Sequence, residues 1–186
     1  MPPERIQTER LVLRRFSRRD ISTMTEAVLA SLPALNEWLP WAHPGYRKED
    51  ASIYIRESIE AWKEGKAFDW AIRRRTDPRR HVGNISTWQV SRLTRTGEIG
   101  YWIRTDDTNQ GLAQEATRAI MGVGFEELGF HKITLRIGVG NDASARVAEK
   151  LGFAAEGVLR EELLIRGRWI DHTLYSLLDH EFAERS

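Results

Sequence analysis

Leu112, Ala116, Ala119, Ile120 and Val123 recur three and four positions apart, the spacing of one buried helix face. Just upstream, Gly97-Glu98-Ile99-Gly100-Tyr101-Trp102-Ile103 reads as a strand, with Glu98, Gly100 and Trp102 on one sheet face and Ile99, Tyr101 and Ile103 on the other. Downstream, the helix stops at Leu128-Gly129 and Lys132 to Ile137 alternates again, so strand, helix and strand form a parallel crossover. Nearer the start, Arg5 to Arg15 alternates as one strand. Asp20 then caps a helix whose stripe is Ile21, Met24, Val28 and Leu32 and which Pro33 ends.

A second helix opens at Glu49 or Asp50 and runs to about Glu64. Phe68 to Arg73 and His81 to Trp88 pair as a hairpin across Thr76-Asp77-Pro78, and a turn at Thr94-Arg95-Thr96-Gly97 leads into the strand holding Glu98. Asn141 caps a helix that stops at Gly152. Ala154 to Ile165 and Trp169 to Leu178 are then two strands joined at Arg166-Gly167-Arg168. The whole pattern predicts one α/β (α+β) domain over residues 1–186, with a twisted mixed sheet of about seven strands and about four helices.

Composition narrows the function classes. The chain has 186 residues, 28 Lys and Arg against 27 Asp and Glu, and no cysteine. That balance gives no reason to expect a nucleic acid or an anionic membrane as partner, and the absence of cysteine excludes disulfides, thiolate metal sites and a cysteine nucleophile. Histidines 43, 81, 131, 172 and 180 lack ligand-like spacing, so no metal is expected. No secretory signal or membrane-length apolar run is present, and a soluble cytoplasmic protein, monomeric or homodimeric, is the expectation.

Three stretches carry candidate chemistry. Thr108-Asn109-Gln110-Gly111-Leu112-Ala113 is a turn of small and polar residues opening directly into a helix, where free backbone N–H groups and the positive end of the helix dipole suit an anion such as a pyrophosphate. Leu35 to Tyr46 is aromatic and interrupted by proline, so it reads as irregular, and Trp41, His43 and Tyr46 are placed where loops gather substrate contacts. Arg73, Arg74, Arg75, Arg79 and Arg80 cluster at a hairpin, more simply a solvated tip than a contact for an acidic substrate or RNA. Gly100, inside a strand, points to a bulge or to something approaching the backbone closely.

Asn141-Asp142-Ala143-Ser144 followed by Lys150-Leu151-Gly152-Phe153 resembles the signature of the GNAT acetyltransferase superfamily, and Gly111-x-Ala113 fits its pyrophosphate loop. With Thr8-Glu9-Arg10-Leu11-Val12-Leu13-Arg14 and Trp38-Leu39-Pro40-Trp41, nearly the whole chain looks like the RimJ/RimL branch of ribosomal-protein N-terminal acetyltransferases. The loop departs from the superfamily at Thr108, where Gln or Arg is common. The resemblance implies acetyl-CoA in the cleft between two splayed parallel strands, its pantetheine arm along Tyr101, Trp102 and Ile103 and its pyrophosphate on Asn109, Gln110, Gly111, Leu112 and Ala113. It makes Asn141 a polar contact to that arm and Ser144 the hydroxyl near the sulfur, and it puts the acceptor side at Trp41, His43 and Tyr46.

For the reaction, Glu98 is the candidate base, with Glu161 and Glu162 as alternatives, and a backbone N–H near Gly100 to Trp102 is the candidate oxyanion donor. An α-amino acceptor has a pKa of about 8 and needs little more than a water-mediated base, whereas a lysine near 10.4 needs more. The leading expectation is acetylation of a peptide or protein N-terminus. A small-molecule amine as acceptor and a non-catalytic CoA-binding regulatory domain are the alternatives.

Overall fold

The computed structural model describes residues 1–184. Its centre is a sheet of eight strands: β1 (Arg5–Gln7), β2 (Leu11–Arg15), β3 (Ala67–Arg74), β4 (His81–Ser91), β5 (Thr96–Ile103), β6 (Lys132–Gly138), β7 (Ala154–Ile165) and β8 (Arg168–Leu178). They lie in the order β1-β2-β3-β4-β5-β6-β8-β7, and only β5 and β6 pair in parallel. Helices α1 (Ile21–Trp38) and α2 (Lys48–Lys63) cover one face; α3 (Leu112–Gly122) and α4 (Asp142–Leu151) cover the other. A short α5 (Asp179–Ala183), absent from the predicted pattern, follows β8.

The two faces hold separate apolar clusters. Ile99, Ile120, Ile133, Leu135 and Leu151 belong to the α3/α4 side, while Met24, Val28, Ile55, Ala71 and Trp102 belong to the α1/α2 side. Alternation along β5 therefore divides its side chains as expected, with Trp102 facing α1 and Ile99, Tyr101 and Ile103 packing toward α3 and α4. The β5–β6 ladder is short. It runs from Thr96↔Lys132 to Glu98↔Thr134 and stops, although both strands continue, so Gly100 to Ile103 keep a ladder to β4 and an open edge toward β6.

Two predicted boundaries are corrected. Arg5 to Arg15 is not one strand but the β1–β2 hairpin, reversed at Thr8 to Arg10. The reversal is held from far along the chain: Glu115 on α3 accepts from the Thr8 hydroxyl at 2.5 Å, the Arg10 backbone N–H at 2.8 Å and Arg10 Nε at 2.6 Å. Pro33 does not end α1, and residues 35–38 of the stretch read as irregular are its last turn. Proline removes the hydrogen bond to the carbonyl four residues back, but Pro33 and Leu29 are both on the exposed side, where water can take up that carbonyl. Gly100 causes no bulge, since its register with Ser86 is regular; the ring of Trp88 lies beside it, 3.3 Å from where a Cβ would stand.

Candidate active site

Where β5 and β6 part, a groove of about 380 Å³ opens between α1, β5, the turn before α3, and α4. Tyr101, Trp102 and Ile103 form its β5 wall; Asn109, Gly111, Leu112 and Ala113 form its end; Asn141 and Ser144 line the α4 side. Ala34, Leu35, Trp38 and Leu39 close it from α1, and Arg146 and Lys150 bring positive charge from α4. Ala34 and Arg146 have no role in the sequence reading, while Leu35, Trp38, Leu39 and Lys150 enter it only as members of motifs or of the aromatic stretch.

The turn is built to present backbone. Asn109 and Gly111 have φ of 58° and 74°, a left-handed conformation that glycine adopts freely and asparagine tolerates better than most residues. Gly111 stands at the N-cap of α3 without a side chain to satisfy the first helical N–H groups, so these remain available to an anion. Gln110 is not part of the lining. Its side chain turns back to Arg74 Nη2, at 2.5 Å, and to the Asp106 carbonyl. Arg10 Nη1 bonds the Gln110 carbonyl at 2.8 Å, so the residues that make the β1–β2 turn also brace this loop from behind.

On α4, Asn141 is the cap: its side chain accepts from Ser144 N at 3.2 Å. That frees the Ser144 hydroxyl, which meets the Tyr101 hydroxyl at 3.1 Å across the groove. Burial pushes the Tyr101 phenol above its usual range, against the opposing effect of Ser144, so the pair is neutral near pH 7.

Glu98 lies outside this groove, on the α1/α2 face at the foot of the splay, where it lines a separate open depression with Trp88, Thr134 and Arg136. Arg136 donates from Nε to Glu98 at 2.9 Å and from Nη1 to Glu162 at 2.6 Å, so one guanidinium bridges two carboxylates. Burial raises the Glu98 carboxyl; Arg136 opposes but does not cancel the effect. Glu161, by contrast, is exposed in a bulge of β7, with φ of 51° and its backbone N–H on Asp171.

The acceptor candidates split. Trp41 is half-exposed and packs against Tyr46 and Trp102, with ring centroids 6.0 and 6.2 Å apart. His43 lies 6.3 Å from Tyr46 by the same measure. Tyr46 is buried, its hydroxyl has no hydrogen-bond partner among the described residues, and burial with Asp50 nearby pushes it up to about 12, so it belongs to the wall behind the loop. Trp38 lies over β6: a Cβ on Gly138 would stand 2.9 Å from its ring, which is why glycine is needed there.

The arginine cluster is divided: Arg75 and Arg79 are exposed at the hairpin tip as expected, whereas the other three turn inward. Arg73 pairs with Asp20 at 2.7 Å, and Arg74 and Arg80 pair with Asp107 at 2.8 and 3.0 Å.

Residues 10–154 match the Acetyltransferase (GNAT) domain family. The chain belongs to that family. It is 28% identical over 174 residues to the uncharacterized N-acetyltransferase YoaA of Bacillus subtilis, covering 93% of this chain and 96% of that one. With the ribosomal-protein-serine acetyltransferase of Escherichia coli it shares 22% over 169 residues, 91% of this chain and 93% of the relative. Its fold superposes with a TM-score of 0.86 on RimL, a ribosomal L7/L12 α-N-protein acetyltransferase in complex with coenzyme A, at 21% identity over 96% of this chain and 99% of that one. The protein is thus an N-acetyltransferase with acetyl-CoA as its cosubstrate. Among the described residues no helix is long and apolar enough to cross a membrane, and no group of acidic, histidine or cysteine side chains could hold a metal.

Proposed function

We propose that the protein acetylates the terminal α-amino group of a ribosomal or other protein by direct attack on acetyl-CoA. The observation that carries this is the groove, which gathers an uncapped helix N-terminus, the open edge of β5 and the Ser144 hydroxyl, held by Tyr101, along one path. Acetyl-CoA supplies a thioester carbonyl activated for attack by an amine. The N–H groups at Gly111 to Ala113 hold the pyrophosphate, Arg146 and Lys150 add charge for the phosphates, and the backbone of Tyr101 to Ile103 pairs with the pantetheine amides. Asn141 supports the arm, and Ser144, kept in place by Tyr101, donates a hydrogen bond to the departing thiolate.

The acceptor arrives on the other sheet face, where Glu98 lines an open depression with Trp88 and Arg136, and Trp102, further along the same face of β5, packs against Trp41 of the acceptor loop. Glu98, raised by burial and shared with Arg136, takes a proton through water; an α-amine near pKa 8 is already about a tenth neutral at pH 7, so this suffices. A backbone N–H on the open edge near Gly100 to Trp102 receives the carbonyl oxygen as charge develops.

A second reading rests on one specific observation. Arg166 ties the β7–β8 tip to the carbonyls of Leu39 and Pro40, which narrows the acceptor side and suits a small amine. Peptides of increasing length beginning with Ala, Ser or Met, compared with the free amino acids, separate the two. Rising kcat/KM with length is expected; turnover of small amines with no peptide activity would replace the first reading by the second. In the same assay Ser144→Ala should lower kcat about ten-fold, roughly 1.4 kcal/mol, with acetyl-CoA affinity nearly unchanged.

A further inference from the structure

The β7–β8 hairpin carries Arg160, Arg166 and Arg168, all exposed, and among the described residues none of them is paired with a carboxylate. Arg166 and Gly167 form the two-residue tip, with φ of 51° and 77°. Glycine suits that conformation; arginine is disfavoured in it, and asparagine is the more usual non-glycine choice. What arginine adds is a guanidinium laid across the acceptor loop. It donates to Asn36 Oδ1 at 2.7 Å, to the Pro40 carbonyl at 3.0 Å, to the Leu39 carbonyl at 3.4 Å and to the Ala42 carbonyl.

All of these acceptors are neutral. The positive charge is steadied by the carbonyl end of α1 but not cancelled, and it stands beside the loop that carries Trp41 and His43. Arg168, opposite Ile165, alternates onto the same face as Ile170, whose side chain lies with Trp38 against Gly138. Two unneutralised guanidinium groups therefore rim the acceptor side: Arg166, with four of its five N–H donors on these acceptors, offers a carboxylate its charge and one remaining N–H, and Arg168 offers a fork for a charge-assisted, two-pronged contact.

We propose that Arg166 and Arg168 select acceptors carrying carboxylates a few residues behind the reacting amine, that is, acidic protein N-termini. This rests on the terminal-acetyltransferase reading. The carboxylates meet the hairpin while the amine reaches the depression beside Glu98. Glu98 and Glu162 do not compete for these arginines, because both are engaged by Arg136.

The test compares two hexapeptides that begin with Ala and differ only in Asp and Glu against Asn and Gln at positions three to five. Wild-type protein should favour the acidic peptide in kcat/KM by ten-fold or more, mainly through KM, and the preference should shrink between 50 and 500 mM salt. Arg166→Asn keeps the left-handed tip and Arg168→Gln leaves the Arg166 contacts in place, so neither effect reduces to misfolding. Each should cut the preference several-fold, the double variant should bring it close to one, and Arg166→Lys should retain part of it. Equal rates on the two peptides in wild type, or an unchanged preference in the double variant, would overturn the proposal while leaving terminal acetylation intact. Calorimetric titration of the acidic peptide onto the protein without acetyl-CoA reads the same surface independently of turnover. Salt-sensitive binding that the double variant loses, with no acetylation of any amine, would instead overturn the transferase reading and keep the hairpin as an acidic-peptide site.

Discussion

Two hairpins of this protein are rich in arginine, and they use the charge in opposite ways. On β3–β4, Arg73, Arg74 and Arg80 are drawn inward onto Asp20 and Asp107, carboxylates only 1% and 4% exposed. On β7–β8, Arg160, Arg166 and Arg168 have no carboxylate among the described residues. The first set is consumed in holding α1, the β3–β4 connection and the segment before the turn at residues 108–111 together. Arg75 and Arg79 stay exposed at the first hairpin's tip, but all three arginines of the second are exposed, and Arg166 lies against the loop that carries Trp41 and His43. A run of basic residues in a sequence therefore says little about partners until its counter-ions are known.

The contrast is broken most directly by removing a buried counter-ion. Asp20 accepts from Arg73, Arg14 and Ser17, so Asp20→Asn leaves the Arg73 guanidinium buried without a compensating charge and should cost about 3 to 5 kcal/mol. For a chain of this length that lowers Tm by roughly 10 °C. Denaturant unfolding at pH 7 measures it, and a loss under about 1 kcal/mol would mean that water reaches Arg73 and that the two hairpins hold their arginines in similar surroundings.

His81 provides the next largest effect. It is stacked between Phe16 and Trp102, its Nε2 lies 2.6 Å from Asn84, and burial beside Arg73 lowers its pKa to about 4. Between pH 6.5 and about 4 the unfolded chain binds a proton that the folded chain refuses. Stability should therefore fall as pH drops through that window, by on the order of 3 kcal/mol from this group, and level off below it. His81→Gln, which cannot titrate, should flatten the slope between pH 6.5 and 4.5; an unchanged slope would assign it to other groups. Asp20, whose pKa is lowered, adds its own loss only once the pH is low enough for an unfolded aspartate to bind its proton, and Glu98, whose pKa is raised, opposes the His81 slope because the folded chain binds that proton first.

The fold was largely legible because alternation and helical spacing are local. The β5–α3–β6 crossover, the cap at Asn141 and the stop at Gly152 needed only neighbours in sequence. What escaped depends on distant partners. Nothing near Thr8 to Arg10 announces that Glu115 will fold that strand into a hairpin, and Pro33 breaks a helix only if its carbonyl partner is denied water. At the site, the positions expected to line the cofactor path did converge on one groove, apart from Gln110, which is held by Arg74. Arg136 and Arg166 could not be found by spacing, since each is defined by groups on other elements: Glu98 and Glu162 for one, and the loop carbonyls at 39–42 for the other.

The smallest expected effects lie in the second hairpin, and their smallness is the point. Arg168→Gln breaks no ion pair among the described residues, so its stability should stay within about 0.5 kcal/mol of wild type. Arg166→Asn should cost slightly more, about 1 kcal/mol, because hydrogen bonds to the loop are lost while asparagine eases the left-handed tip. That loss has an address. Amide hydrogen exchange at residues 39–46 should speed up while β6 keeps its protection, since the contacts removed bind the loop and not the sheet. Exchange unchanged at 39–46 would mean that Tyr46 and Trp102 hold the loop unaided and that the Arg166 guanidinium is free for a ligand at no structural cost. A global loss of several kcal/mol would place Arg166 beside Asp20 as part of the framework and erase the distinction between the two hairpins.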